Sequence, residues 1–544
     1  MKDPVAAASA ASREASTSPE RAQAILASLI LVAAVANLNL SVANVALPSI
    51  GQSFDASQTA LDLIAVGYSL GLAASVLWFG ALGDRYGRKL MIVLGMALSI
   101  PACLMAAYAP STGVLFAARV IGGLSAGLAY PTTLSMITAL WTGPARTKSI
   151  ALWSALGGGF AMLGPLISGW LLQDFWWGSV FLVTLPLVAI ALPMAIKNVP
   201  AHVNEATEAV DNLGGLLSAV MIGALIVALN FITVPNLKTV AIVLLVVTLV
   251  VLFAFYLRER RAANPIYDLR VAARKTFWVA ACAGIIVFGS LMGSAFISQQ
   301  FMQNVLGYST LAAGAAILPV VVFMVLVAPR SAKLVSANGS RQTLLMGQAF
   351  LLLAFLLMLL FWNEGIPYWK IAIPLACMGI GVGLAGTPSS NSLTGSVPVT
   401  RVGMASGTAD LQRDLGGALM TSIFGALLTA GYAAAMGTAI SASGQDVTAS
   451  TQSALQLSYS SAADLASANP QYANQIMSAA KESFLQGDKW AYTAAMVAVA
   501  IGMCLVFFFF PKKAEEHDLH ATYLQQDAAG RAGTPAPSAE EGTG

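Results

Sequence analysis

The segment GALGDRYGRK, from Gly80 to Lys89, connects two long apolar stretches and is the most informative part of the chain. Its glycines permit tight turns and close helix approach, and its acid can cap a helix or pair with an arginine. Its bases can bind carboxylates or lipid phosphates at a membrane surface. A basic loop alone indicates only topology, whereas this combination favours a gate. The gating residues would be Gly80, Gly83, Asp84, Arg85, Gly87, Arg88 and Lys89.

The whole chain has the composition of a membrane protein. Of its 544 residues, 57% are hydrophobic and 10% are charged, whereas soluble domains carry about 25% charged residues. So much apolar surface must face lipid or other helices. The net charge of +3 gives no reason to expect a nucleic-acid partner.

The sequence contains no pattern that indicates an enzyme or a metal site. Its four cysteines lie singly in apolar stretches, and its three histidines lie in predicted cytoplasmic segments. The GxxxxGK[ST] loop that binds ATP is absent. We therefore expect no catalysis, no metal and no cofactor.

Fourteen apolar runs approach or exceed the roughly 20 residues that a membrane helix needs. The predicted fold class is therefore all-α, a polytopic membrane protein. The predicted spans are 22–46, 62–79, 90–108, 113–138, 148–172, 177–196, 213–233, 238–257, 277–303, 309–328, 342–361, 371–394, 403–431 and 489–510.

Lysine and arginine positions predict the orientation of the spans. With the N-terminus inside, the outside segments hold only Lys238, Lys370, Lys481 and Lys489, and the other bases of the connecting segments lie in the cytoplasm. Both termini are then cytoplasmic. A long, partly helical outside loop covers 432–487, and the polar tails 1–21 and 512–544 are predicted to be disordered.

The first six and the last six predicted spans contain similar sequence segments at corresponding positions. GLAYPTTLS at 127–135 is similar to GLAGTPSSNS at 383–392, and the loop after span 2 is loosely similar to KLVSANGSR after span 10. Duplicated halves are typical of transporters that rock about a central site. The halves are predicted at 22–196 and 276–511, and the segment 197–275 between them carries two extra spans.

Two further motifs lie within spans. Arg119, in LFAARVIGGLSAGLAYP at 115–131, places a charge inside the membrane, which is costly and marks function by default. The alternative is an arginine that reaches the outer interface. In GGGFAMLGPLISG at 157–169, Gly164 and Pro165 interrupt helix regularity and Gly169 permits close packing. The alternative there is an ordinary kinked helix.

These motifs resemble the major facilitator superfamily and, within it, the fourteen-span drug:proton antiporters. The segment 80–89 is similar to the signature loop of the superfamily, and 157–169 is similar to its antiporter motif. The resemblance covers about 25 to 510. It extends to NLNLSVANVALPSI at 37–50, WWGSVFLVTLP at 176–186, QNVLGYSTLAAGAAILP at 303–319 and GMASGTADLQRDLGGAL at 403–419.

The resemblance implies that Asp84 helps to close the cytoplasmic side in the outward-open state and that Arg119 takes part in proton coupling. The chain also departs from the family pattern. The departures are Asn39 in place of a span-1 aspartate, Gly122 in place of glutamine, and Phe160 and Ser168 in place of glycines. An amide cannot exchange a proton near neutral pH, so the usual coupling acid is missing.

Few acids remain within the spans to couple protons. Asp62 lies near the outer start of span 2, Asp410 and Asp414 near the inner start of span 13, and Asp488 near the outer start of span 14. Each is close to an interface, so a solvated surface acid is the alternative for each. We expect Asp62 to supply part of the charge missing beside Arg119.

The expected function is secondary active export of amphipathic small molecules, of the drug-efflux type, by alternating access and proton antiport. The protein would be a monomer in a bacterial plasma membrane, with lipid, protons and substrate as its partners. The alternative is a lipid or hydrophobic-metabolite transporter of the same fold without strict proton coupling. A non-transporting sensor is disfavoured because no signalling domain is appended.

The substrate cavity is expected at the midplane between the two halves. Aromatic and methionine side chains would give adaptable apolar contact, and amides would orient the ligand. For each side chain, ordinary helix packing is the alternative. The candidates are Asn39, Tyr68, Tyr130, Trp153, Phe160, Met162, Phe296, Gln299, Gln300, Gln303 and Asn391.

Overall fold

The computed structural model describes residues 18–56, 58–201, 203, 206, 208–232, 237–443 and 447–532, except for the side chains at 58, 59, 62, 517, 524 and 528–532. Within these residues every regular element is a helix, and 14 helices are long and apolar enough to cross a membrane. The predicted all-α fold and the predicted number of spans are confirmed.

Helices form in the apolar runs because a helix satisfies its own backbone hydrogen bonds in lipid. The spans, numbered 1 to 14 in chain order, are Ala22–Ser41, Leu63–Tyr86, Arg88–Ala107, Thr112–Leu140, Gly143–Asp174, Ser179–Asn198, Asn212–Phe231, Lys238–Arg261, Lys275–Val305, Thr310–Asn338, Ser340–Phe361, Tyr368–Gly395, Val399–Ser443 and Ala473–Phe509.

The junction of spans 2 and 3, around Gly87, defines one face of the molecule, which we call the loop face. The opposite face is the far face. Successive spans alternate in direction, so the described residues before span 1 and after span 14 both lie at the loop face. We call spans 1 to 6 the first bundle and spans 9 to 14 the second bundle.

The two bundles repeat the same local backbone at corresponding places. Gly87 precedes span 3 with φ of 106°, and Gly339 precedes span 11 with φ of 87°. Glycine adopts such angles without the cost that a side chain imposes. Pro131 lies inside span 4 and Pro388 inside span 12. The similarity seen in the sequence therefore has a counterpart in the structure.

Spans 13 and 14 continue far beyond the thickness of a bilayer at the far face. Their helices, Val402–Ser443 and Ala473–Phe509, contain 42 and 37 residues, although about 20 are enough to cross. Two short helices, Ala449–Leu457 and Tyr459–Ala468, lie between them. The described part of 432–487 is thus more helical than the expected loop.

The chain after span 14 differs from the prediction of a disordered tail, because Lys513–Ala532 forms a helix. This helix docks against the second bundle at the loop face. Arg274 pairs with Asp527 at 2.6 Å, and the Glu516 carboxylate accepts a hydrogen bond of 3.2 Å from the backbone N–H of Ser340. Composition did not indicate the helix, since specific contacts with span ends stabilise it.

Candidate functional site: a closed gate and a central cavity

Asp84 joins the two bundles at the loop face. Its Oδ2 accepts a hydrogen bond of 2.6 Å from the backbone N–H of Gly403, at the beginning of span 13. Its Oδ1 lies 2.8 Å from Arg88 Nη2. A negative charge at a helix N-terminus is stabilised by roughly 0.3–2 kcal/mol. Gly80 permits this contact, because a Cβ there would lie 2.7 Å from the Gly403 carbonyl oxygen.

The bases of the segment 80–89 bind backbone carbonyl groups. The acceptors are the oxygens of Val203 and Val399 for Arg88, of Ala206 for Arg85 and of Ile196 for Lys89, at distances from 2.6 to 3.0 Å. Arg88, the first residue of span 3, therefore ties that span both to the connector after span 6 and to the beginning of span 13. The surroundings of Gly83 leave ordinary contact distances and do not demand glycine.

Spans 5 and 12 make a second contact between the bundles at the loop face. The Thr147 hydroxyl donates to the Asn391 side-chain oxygen at 3.4 Å. A Cβ at Gly395 would lie 2.8 Å from Arg146 Nη2. With Asp84, these contacts close the loop face. They also place Asn391 in the closure and not in the cavity predicted for it.

A cavity of about 300 Å³ lies between the bundles, toward the middle and the far-face half of the spans. Binding pockets for small molecules have volumes of roughly 300–1,000 Å³. Its walls combine apolar groups with hydroxyls and amides. The walls include Asn37, Ser69, Tyr130, Met162, Met292 and Met324. Flexible methionines with a few polar groups suit ligands of varied shape.

Arg413 lies in the wall of this cavity with its guanidinium group between aromatic rings. Its carbon Cζ lies 4.7 Å from the ring of Trp153 and 4.8 Å from the ring of Phe288. Its nitrogens donate to the hydroxyls of Tyr130 and Ser154. Rings and hydroxyls together hold a cation where an isolated one would be unfavourable.

Asp410 and Asp414 flank Arg413 on one side of span 13, since residues three and four apart share a helix face. Asp410 is 1% exposed, and its Oδ1 lies 3.8 Å from Arg413 Nη1. Neither of its oxygens has a hydrogen-bond partner among the described residues, nor has Oδ2 of the cavity-lining Asp414. We call these three residues the acid–arginine cluster. The alternative of a solvated surface acid is wrong for Asp410.

Arg119 binds a bend in span 1. Its Nη1 donates to the backbone oxygen of Asn39 at 2.7 Å, and its Nη2 donates to that of Leu40 at 3.4 Å. These carbonyls end the helix Ala22–Ser41, where the partial charge of the helix is negative. Arg119 is 2% exposed, so the alternative of an arginine that reaches the interface is wrong.

The amide of Asn39 does not accept a hydrogen bond from Arg119. Its oxygen accepts instead from the Thr184 hydroxyl at 3.1 Å and contacts the Cys103 thiol at 3.5 Å. The side chain of Asp62 lies outside the part of the chain that the structure describes, so its pairing with Arg119 remains a prediction.

Span 5 packs against the same bend. A Cβ at Gly164 would lie 1.9 Å from the Ser41 hydroxyl oxygen, and the Ser168 hydroxyl donates to the Val42 carbonyl at 2.9 Å. Gly164 therefore lies where span 5 needs a small side chain, whereas the helix Gly143–Asp174 continues without a break through Pro165. Gly169 has only ordinary contacts, 3.8 Å or more away, with Leu311 of span 10.

Asp488 lies apart from the cavity, in span 14. It is 1% exposed, and neither its oxygens nor the hydroxyl of Tyr492 has a hydrogen-bond partner among the described residues. The alternative of a solvated acid is wrong here too. The residues that line the cavity do not include Asp488.

The sequence profile of the Major Facilitator Superfamily matches residues 29–421. The chain belongs to this superfamily. With the 14 helices that are able to span a bilayer, it is a multi-pass membrane protein.

Several bacterial members of the superfamily are similar in sequence. The chain is 32% identical to the multidrug resistance protein Stp of Mycobacterium tuberculosis, over 73% of this chain and 74% of Stp. It is 30% identical to the multidrug efflux pump LfrA of Mycolicibacterium smegmatis, over 89% and 95% of the two chains. It is 28% identical to the methyl viologen resistance protein SmvA of Salmonella typhimurium, over 87% and 96%.

Among solved structures, the human organic anion transporter MFSD10 (TETRAN) has a similar fold. The TM-score is 0.57 at 14% identity, and the match covers 90% of this chain and 100% of the other. At that identity the likeness shows the fold alone.

Within this superfamily fold, two of the predicted cavity residues, Tyr130 and Met162, line the cavity. Trp153 lies behind the wall, where it stacks on Tyr130 with ring centroids 5.5 Å apart. Asn39 and Tyr68 line a separate pocket of about 10 Å³ beside Arg119. These positions correct the predictions for Trp153, Asn39 and Tyr68.

The other predicted cavity residues also lie outside the cavity lining. Phe296 is 37% exposed on the outer surface of span 9. The side chains of Gln299 and Gln303 bond each other at 3.4 Å near the far-face end of that span. Phe160, Gln300 and Asn391 are likewise absent from the lining. Residue type indicated a suitable chemistry, but helix rotation decides which side chains face inward.

Arg413 was not predicted as a member of the site, and Asp414 was predicted only as one of several acids near an interface. One feature of the sequence indicates the cluster: Asp410, Arg413 and Asp414 are spaced so that they lie along one face of an apolar span. The three residues begin only about two helical turns into the predicted span 13, and this position favours a location near the membrane interface. The packing of spans around this end shields the cluster from water.

Proposed function

We propose that this protein exports amphipathic organic cations from bacterial cells in exchange for protons, by alternating access, and that it is not an enzyme. Its loop face would be cytoplasmic, and its membrane would be the plasma membrane. The names of Stp, LfrA and SmvA support drug efflux as the activity. The name of SmvA supports a cationic substrate, since methyl viologen is an organic cation.

The acid–arginine cluster is the observation that carries the proposal. Two carboxylates and one guanidinium, when all are ionised, leave one negative charge at the cavity wall. Burial makes that charge unfavourable unless it is compensated. A proton can compensate it, and so can the positive charge of a bound substrate, which then makes the proton unnecessary. Competition between the two is the physical basis of antiport.

The gate at the loop face gives the exchange a direction. When Asp84 holds Gly403, the cavity is closed toward the proposed cytoplasm. In this state a proton from the outside neutralises Asp414, and the substrate cation leaves. After the bundles rock, the proton leaves to the cytoplasm and the next cation binds.

Arg119 would support this cycle without exchanging a proton itself. Its guanidinium group holds the bend of span 1 through backbone carbonyls. Span 1 contributes Asn37, Leu40 and Ser41 to the cavity next to that bend. By holding this bend, Arg119 would fix the positions of the span 1 residues that line the cavity.

Transport by purified protein in proteoliposomes tests the proposal. Vesicles with an acidic interior should accumulate methyl viologen, and a protonophore should abolish the accumulation. Asp414→Asn should reduce the accumulation at least about tenfold, equivalent to ~1.4 kcal/mol. Asp464→Asn, on an exposed helix at the far face, serves as the matched control and should behave like the unchanged protein.

Two results would contradict the proposal. Accumulation of methyl viologen that does not depend on the pH gradient would exclude proton antiport as the mechanism. Movement of a neutral lipid analogue, with no movement of any organic cation, would favour the alternative lipid or hydrophobic-metabolite transporter.

A further inference from the structure

Spans 7 and 8, which belong to neither bundle, differ strongly in what surrounds them. Along span 8, Leu249 and Val250 are each 64% exposed and Phe253 is 63% exposed. In span 7, Ile222 is 2% exposed and Ile226 is 1% exposed. Span 8 therefore presents a broad apolar face to lipid, while span 7 lies between span 8 and the body of the transporter.

Span 7 packs closely on span 2 of the first bundle. The Trp78 indole donates to the Asn212 side-chain oxygen at 3.1 Å, and a Cβ at Gly215 would lie 2.4 Å from the Trp78 ring. A Cβ at Gly223 would lie 3.7 Å from Cβ of Ala74. The two helices are therefore in close contact along much of their length.

At the level of the cavity, span 7 fills a gap between spans 2 and 13. Those two spans touch at Gly80 and Gly403 on the loop face. Further toward the far face, Ser69 of span 2 and Thr421 of span 13 both line the cavity, and Asn230 of span 7 lines it with them. Span 7 thus closes the side of the cavity that would otherwise face lipid.

Contact between span 7 and the second bundle includes few polar groups. The Ser422 hydroxyl donates to the Leu229 carbonyl at 2.7 Å. Near the loop face, Arg401 at the start of span 13 pairs with Asp268 at 2.5 Å and lies 3.7 Å from Glu208, on the connectors beside spans 7 and 8. Movement of span 13 past span 7 would have to break these contacts, while the packing of span 7 on span 2 would remain.

We propose that span 7 is part of the substrate-binding site, that Ile226 and Asn230 contact the bound cation, and that span 7 moves with the first bundle. This inference rests on the proposed function, since it assigns a further wall to the same site. Ile226 offers an aliphatic surface for the apolar part of an amphipathic cation. The Asn230 side chain, whose nitrogen donates to the Ile226 carbonyl oxygen at 2.8 Å, adds a polar group to this wall.

Substrate protection of single cysteines tests the binding part. Each cysteine is placed in a protein whose Cys103, Cys282, Cys377 and Cys504 are replaced by serine. Methyl viologen should slow the reaction of N-ethylmaleimide with Ile226→Cys and with Asn230→Cys. The control Val220→Cys, at a position of span 7 that is 44% exposed, should react equally with and without methyl viologen.

Met292→Cys, in the cavity wall formed by span 9, separates the two ways in which this test can fail. Protection of Met292→Cys without protection at positions 226 and 230 would overturn the role of span 7 and leave the proposed function intact. Protection at none of the three positions would overturn both.

Cross-linking tests the movement of span 7. A disulfide between Ala74→Cys and Gly223→Cys fits the distance of 3.7 Å, because disulfides join Cβ atoms roughly 3.5–4.5 Å apart. It should leave transport unchanged, since both positions would move together. A short bifunctional methanethiosulfonate, which forms a disulfide with each thiol, should cross-link Leu229→Cys to Ser422→Cys and stop transport, and reduction of the two disulfides should restore it. The opposite pattern would show that span 7 moves with the second bundle.

Discussion

At the residue scale, the centre of the molecule is organised by one basic and two acidic side chains in an otherwise apolar membrane region. Arg413 is held by rings and hydroxyls, whereas oxygens of Asp410 and Asp414 lack hydrogen-bond partners in the described structure. The base is thus well compensated and the acids are not. In the proposed cycle the acids therefore exchange charge, and Arg413 is the fixed group beside them.

Replacement of Arg413 by lysine should strongly reduce transport although the positive charge remains. A lysine ammonium lacks the planar group that lies against Trp153 and Phe288 and the fork that reaches two hydroxyls. We expect at least about a tenfold loss of transport, equivalent to ~1.4 kcal/mol. The measurement is initial uptake into proteoliposomes, compared with Arg330→Lys, an exposed arginine of span 10. Uptake by Arg413→Lys at the level of that control would show that only the charge matters.

From the sequence, the kinds of side chain that line the cavity could be predicted more reliably than the individual residues that line it. Tyr130 and Met162 were found, but Phe296 and Gln299 have equally suitable side chains and lie elsewhere. All these spans are apolar on every side, so their hydrophobic pattern does not reveal which face is internal. The rotation of each helix is set by close contacts such as Gly80 with Gly403, which a single sequence does not show.

At the element scale, the bend of span 1 is where three elements converge. Arg119 of span 4 binds the carbonyls before the bend, and Gly164 and Ser168 of span 5 pack against it. The sequence indicated that each motif mattered, through a buried charge and through Gly164-Pro165. It did not indicate that both motifs act on span 1, because their common partner is backbone and carries no sequence signal.

Gly164→Ala should therefore destabilise the protein and lower transport. The added methyl group would overlap the Ser41 hydroxyl, only 1.9 Å from the ideal Cβ position, and overpacking typically costs about 1–3 kcal/mol. Ser41→Gly removes the overlapping atoms and should partly restore stability in the double variant. The measurement is thermal unfolding in detergent. A double variant no more stable than Gly164→Ala would place the strain elsewhere in the contact.

The spans themselves were predictable because bilayer thickness imposes one length on every crossing helix. The tail helix Lys513–Ala532 was not predictable in this way. It depends on the pairing of Asp527 with Arg274 and on the Glu516 carboxylate at the start of span 11. Such contacts join distant segments, so composition near the terminus did not reveal them.

At the scale of the whole molecule, the structure shows one stage of a cycle, with the loop face closed and the cavity on the other side of the closure. Asp84 and Arg88 hold the ends of spans 2 and 13 together there. The family resemblance predicted that Asp84 helps to close the cytoplasmic side; the structure shows its contact with Gly403, and the gating role stays a prediction. The second closure, between spans 5 and 12, was not predicted because Thr147 and Asn391 belong to no motif.

Asp84→Asn should shift the protein toward the state that is open at the loop face. The variant loses the ion pair with Arg88 and the negative charge at the beginning of span 13, while it should still fold and insert. Spin labels can be attached at Tyr86→Cys and Asn338→Cys, which are exposed loop-face positions in different bundles. The distance between the two labels should be longer in Asp84→Asn than in the protein with Asp84. Transport should fall severely.

Asp174→Asn, an exposed acid at the far-face end of span 5, should change neither the label distances nor transport. If Asp84→Asn matched this control in both measurements, Asp84 would have no role in the gate. The segment 80–89 would then indicate only the orientation of the spans in the membrane.

The proposed orientation places the loop face in the cytoplasm. A cysteine at Ser460, in the far-face helix Tyr459–Ala468, should react with an impermeant thiol reagent added to intact cells. A cysteine at Asn338, exposed at the loop face, should react only after the membrane is opened. The reverse pattern would invert the protein in the membrane and reverse the direction of transport.

The most direct test of the central claim is whether substrate binding displaces a proton from the acid–arginine cluster. Methyl viologen is added to purified protein in a weakly buffered detergent solution that contains a pH-sensitive dye. The account predicts that binding releases protons from the unchanged protein and that Asp414→Asn releases far fewer. Binding of methyl viologen to the unchanged protein with no release of protons would contradict it.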